Sequence, residues 1–143
     1  MRARPLWLAV ALGAAVAAAP VMAQNYSVLS TNMFGEKVGD QRGKKGATAD
    51  FNGEADFVKA RLCYYLEIYD LDGANALSLH KGKEGDDGDE VLALTLPKDR
   101  NDEACVKADV ALLREIAAKP KEYYVLVGHP DHPDGAIRGQ LSE

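Results

Sequence analysis

Between Arg61 and Tyr69 the chain alternates with a period of two. Leu62, Tyr64, Leu66 and Ile68 fall on one side, and Arg61, Cys63, Tyr65, Glu67 and Tyr69 on the other. Successive side chains of an extended strand point to opposite faces, so this pattern dictates a half-buried strand and rejects a helix. Just upstream, Ala47, Ala49 and Phe51 alternate with Thr48 and Asp50. The dipeptide Asn52-Gly53 then predicts a tight turn into the strand over 58–69. Further strands are expected over 26–29, 76–80, 91–96, 123–127 and 136–141, each bounded by Gly, Pro, Asp or Asn. The stretch 30–46 is expected as a long surface loop. One helix is expected over 110–119: Asp109 is its N-cap, Val110, Leu113, Ile116 and Ala117 share a side, and Pro120 stops it. One short helix among many strands predicts an all-β sandwich or barrel with a helical crossover.

The first residues set the compartment. Arg2 and Arg4 precede an uninterrupted apolar run, "LWLAVALGAAVAAA", and Val21 and Ala23 are small residues placed for cleavage before Gln24. Such a segment is a secretory signal peptide, and it is short for a membrane span, which takes about 20 apolar residues. Residues 1–23 are therefore expected to be removed, leaving 24–143 as a single exported domain, periplasmic or secreted. The whole chain carries a formal net charge of −5; the removed segment holds two arginines and no acid, so the mature domain carries −7. An acidic domain has no electrostatic footprint for nucleic acid or anionic membrane.

The chain has two cysteines, Cys63 and Cys105. In an exported protein an even pair reads as a disulfide, whereas metal-ligating thiolates need further soft ligands beside them, and none is adjacent. The acid-rich stretch 81–90 lacks the alternating acids and flanking helices of a calcium loop and is expected to be a solvated hairpin tip. The stretch "GHPDHPDG" at 128–135 raises the possibility of a zinc or copper site. Its candidate ligands are His80, His129 and His132, with Asp131 or Asp134 assisting. Prolines in that stretch favour a turn in which His and Asp are surface residues. Arg138 stands inside the last strand between Ile137 and Gly139. It is expected as a structural clamp on backbone carbonyls and a buried acid, with an anion contact as the alternative. No complete catalytic constellation and no phosphate-binding glycine pattern is present.

The runs "LCYYLEI", "LHKG" and "ACV", the helix "DVALLREIAAK" with "YYVLV" behind it, and the ending "HPDGAIRGQL" follow one another in a recognisable order. In this the chain resembles chordin-type (CHRD) domains over roughly residues 25 to 141. The resemblance implies an immunoglobulin-like β-sandwich, an architecture also compared with copper/zinc superoxide dismutase, and no established catalytic activity. It also implies a cysteine pair at Cys63 and Cys105. Three positions depart from the family pattern. Glu36-Lys37-Val38 lacks a proline, Ser78 stands where many members have the first histidine of His-x-His, and Gly128 stands where many have a histidine.

The expectation is thus an exported, non-enzymatic CHRD-domain protein without a cofactor, acting as a binding or structural module for an unknown protein or glycan partner. One alternative is a copper- or zinc-binding redox protein using His80, His129 and His132. Another is a glycan-recognising envelope or adhesion factor that contacts sugars through its tyrosines.

Overall fold

The computed structural model describes residues 23–143, so the signal peptide assigned to residues 1–23 lies, apart from Ala23, outside the described residues. Eight antiparallel strands form one curled sheet: β1 (Tyr26–Phe34), β2 (Thr48–Asp56), β3 (Arg61–Tyr69), β4 (Ala76–Lys81), β5 (Glu90–Leu94), β6 (Ala104–Lys107), β7 (Tyr123–His129) and β8 (His132–Gln140). Their spatial order is β5-β4-β7-β8-β1-β2-β3-β6. The curl nearly closes: the Tyr64 hydroxyl of β3 bonds both the N–H and the C=O of Thr95, just past β5. The fold is all-β, a sandwich or nearly closed barrel.

Burial follows the alternation. Leu62 and Tyr64 are almost fully buried on β3, as are Ala49, Phe51 and Ala55 on β2, whereas Tyr65 and Tyr69 are exposed. The single helix among the described residues, α1 (Val110–Ala118), carries the chain from edge strand β6 to central strand β7. Asp109 caps it by accepting from the N–H groups of Ala111 and Leu112, and Leu113 and Ile116 are buried in the core.

Several boundaries differ from the sequence reading. Strand β1 runs on to Phe34 because Met33 and Thr31 continue the inward set that Leu29 begins. Residues 35–41 that follow form two short 3-10 turns. Asn52-Gly53 is not a turn but the middle of β2. Gly53 pairs with Tyr64, and a Cβ there would lie 3.1 Å from the Phe51 ring; the glycine makes room for the Phe51–Tyr64 stack, whose centroids are 5.3 Å apart. The real turn comes later, where Asp56 accepts from the N–H groups of Val58 and Lys59 and Ala60 takes φ 51°. Likewise "GHPDHPDG" is mostly strand: His129 pairs with His132 across a two-residue turn at Pro130-Asp131. Proline suits the first central position of such a turn, so the proline-rich stretch shortens to a tight hairpin.

Candidate functional site

Arg138 is 2% exposed, although it stands on the outward side of β8. Its cover is the acid-rich stretch between β4 and β5, which folds back over the sheet instead of projecting as a free tip. Arg138 donates to the carbonyls of Asp86 (2.7 Å) and Lys83 (2.8 Å), and its guanidinium lies 3.8 Å from an Asp87 carboxylate oxygen. Gln140, two residues on and therefore on the same face, donates to the Gly82 carbonyl, while the N–H of Gly88 donates to the Tyr124 hydroxyl. A planar guanidinium with fixed donors suits this task, since it satisfies two carbonyls at once and stacks on an aromatic ring. The ring is Tyr124, 3.5 Å from centroid to guanidinium carbon.

His80 stacks on the same tyrosine, with centroids 5.0 Å apart and planes 14° from parallel. Its Nδ1 is 2.8 Å from the Gly88 carbonyl and its Nε2 is 2.8 Å from the Ser78 hydroxyl. A carbonyl only accepts, so Nδ1 carries the proton, and in the neutral ring Nε2 accepts from Ser78. That is the polarity of a serine activated by a base. Yet Ser78 is 9% exposed. A nucleophile must meet a substrate carbonyl, and this one is buried beside a base that is itself only half-buried.

The histidines proposed as joint metal ligands are not brought together. His80 pairs with Tyr124, five residues along β7 from His129, a separation of about 16 Å at strand spacing. His129 and His132 do meet, with ring centroids 5.8 Å apart. His129 is engaged at both nitrogens, Nε2 lying 2.9 Å from the Asp72 carbonyl and Nδ1 accepting from the Asp131 N–H, while His132 is engaged at one, its Nδ1 lying 3.1 Å from the Arg42 carbonyl. Asp134 is paired with Arg42. A side chain at Gly128 would sit 2.9 Å from the Ala76 Cβ, so this backbone leaves no space there for a histidine. Among the described residues, the three side chains whose ligand atoms lie closest to one another are Cys63, Glu103 and Cys105. The two sulfurs are already bonded to each other, joining directly opposed residues of β3 and β6.

The sequence reading missed Ser78 and Tyr124 as partners of His80. The signal for Ser78 was present: residues two apart in a strand share a face. Nothing local announces Tyr124 or Gly88, which meet His80 only through sheet order. Of the tyrosines, Tyr64, Tyr123 and Tyr124 are buried, and Tyr26, Tyr65 and Tyr69 are exposed. Burial raises the Tyr64 phenol above its ordinary value.

The chain is thus a disulfide-stapled antiparallel sandwich in which Arg138, Gln140 and Tyr124 hold one loop to the sheet. The CHRD domain family model matches residues 29–141, nearly all of the described chain, and the chain belongs to that family. It matches no curated protein and no solved structure. Among the described residues, no helix is long and apolar enough to cross a membrane.

Proposed function

We propose that the mature chain is an exported, non-enzymatic module that works by binding or by structural support. One observation carries this reading: the side chains with chemical capacity are engaged in the architecture. Ser78 and His80 are tied to each other and to Gly88, Arg138 holds the 82–89 stretch, and Cys63 is bonded to Cys105. Export is supported by the leading apolar segment of the sequence and by a disulfide, which persists in oxidising compartments. No cofactor enters this reading, and the partner is taken to be another protein.

The test treats the purified protein with a fluorophosphonate, which esterifies serines activated by a neighbouring base. No labelling at Ser78 is expected. Labelling that disappears in Ser78→Ala would replace the binding reading with a hydrolytic one. An intact mass that begins at Gln24 would support export with cleavage, and an uncleaved chain would remove it.

A further inference from the structure

We propose that the outer face of β1, β2 and β3 docks an extended segment of another protein that carries lysines or arginines. The proposal rests on the binding-module reading and names the surface and the chemistry of its partner.

Register defines the face as cross-strand rows: Phe34–Thr48–Tyr69, Asn32–Asp50–Glu67, Ser30–Asn52–Tyr65, Val28–Glu54–Cys63 and Tyr26–Asp56–Arg61. None of these outward positions is buried, although Cys63 is bridged to Cys105 and the Arg61 Nε is enclosed. The outward side of β7 and β8 is different, being closed by the 82–89 stretch.

The charge on this open face is unbalanced. Asp50 and Glu67 stand directly opposite each other, and like charges so placed destabilise a sheet. Four acids elsewhere are paired: Glu84 with Lys37, Asp87 and Asp134 with Arg42, and Glu115 with Lys81. Asp50, Glu54 and Glu67 belong to no ion pair among the described residues.

Aromatic rings border the unmatched acids. Tyr65 and Tyr69 lie two residues either side of Glu67, roughly 7 Å away at strand spacing, and are 44% and 41% exposed. The Tyr69 hydroxyl donates to Glu67, which orients that carboxylate. Carboxylates beside tyrosine faces attract a cationic side chain both by charge and by the ring quadrupole. Glu54 follows Asp50 at four residues, about 13 Å along β2. Lysines four residues apart in an extended segment match that spacing.

Charge also sorts the other occupants. A second copy of this face would set acid against acid, and nucleic acid or anionic lipid would be repelled in the same way. A neutral glycan would leave the Asp50–Glu67 repulsion unrelieved.

The experiment titrates the isotope-labelled mature protein by NMR with a short unstructured peptide holding lysines four residues apart and no acids. Shifts are expected on β2 and β3 around Asp50, Glu54, Tyr65 and Glu67, and they should weaken as salt rises from about 50 to about 200 mM. In the double variant Asp50→Asn/Glu67→Gln the peptide should bind roughly fivefold more weakly. The same variant should melt at a higher temperature, because the like-charge pair is gone. A merely structural role for these acids predicts the opposite change in melting. Unchanged affinity or a lower melting temperature overturns the proposal. Shifts confined to 82–89 overturn the face while leaving the binding-module reading intact. Salt-insensitive shifts on the same residues from a neutral oligosaccharide would put a glycan in place of the cationic segment. Labelling of Ser78 by the fluorophosphonate, in contrast, would remove the underlying reading itself.

Discussion

The guanidinium of Arg138 lies 3.5 Å from the centroid of the Tyr124 ring, and together they decide where the acidic stretch 82–89 rests. Tyr124 is on β7, between His80 on β4 and Arg138 on β8, so one ring is shared by residues from the strands on both sides. Arg138 and the Tyr124 hydroxyl then reach beyond the ring to carbonyls and an N–H of the loop.

Arg138→Met keeps most of the side-chain stem but removes the donors, leaving the carbonyls of Lys83 and Asp86 without them. A cost of about 2–4 kcal/mol is expected in urea unfolding, since a buried charge-assisted network is being broken. Amides of 82–89 should lose hydrogen-exchange protection before the strands do. Arg138→Lys should recover only part of the loss, because an ammonium cannot reproduce the planar fork.

The disulfide spans 42 residues and secures β6, a four-residue edge strand paired only with β3. Cys63→Ala/Cys105→Ala should cost about 2–4 kcal/mol in denaturant unfolding. Hydrogen exchange should then rise first at residues 104–107. A uniform rise across the sheet would mean that the bond acts on global stability without a local role at that edge.

Two glycines with positive φ should behave differently. At Gly135 (φ 107°) a Cβ would fall 2.4 Å from Leu126, while at Gly46 (φ 79°) it would meet nothing within 4 Å. Gly46→Ala bears only the backbone penalty, about 1–2 kcal/mol, whereas Gly135→Ala adds about 1–3 kcal/mol of overpacking. Thermal melts of the two variants side by side decide this.

Stability should fall at both ends of the pH scale. The N–H of Gly46 holds Glu36 below the ordinary glutamate value of 4.5, and that of Lys59 holds Asp56 below 3.8. Hydrogen bonds from Lys37 and Lys81 do the same for Glu84 and Glu115. A depressed carboxylate contributes fully above its unfolded value and loses that contribution as pH falls through its folded one, so stability should decline below about pH 4.5. Burial raises Tyr64 and Tyr123 above 10.0; their contribution is complete below that value and is lost as the pH rises past it. Urea midpoints measured from pH 3 to 11 should therefore trace a plateau with two shoulders.

How much was legible follows from the range of each interaction. The period-two pattern of 61–69, the Asp109 cap and the cysteine pair are local or compositional signals, and each has its counterpart in the structure. Asn52-Gly53 misled because a glycine serves a turn and a close aromatic contact equally well, and only the partner strand, bringing Tyr64 over Phe51, separates the two. The charge run 81–90 is exposed, as expected of a hairpin tip, but its docking on the sheet was not legible because its anchors, Tyr124, Arg138 and Gln140, lie more than thirty residues downstream. The histidine set was drawn from sequence alone, and β-sheet register then placed His80 and His129 five residues apart along β7.

The central claim is that the polar residues of this domain serve its architecture and its surface, not a reactive centre. Elemental analysis tests it most directly, on mature oxidised protein offered copper, zinc and calcium separately and then desalted. The account predicts no stoichiometric metal. One metal per chain, lost in His80→Ala, would contradict it.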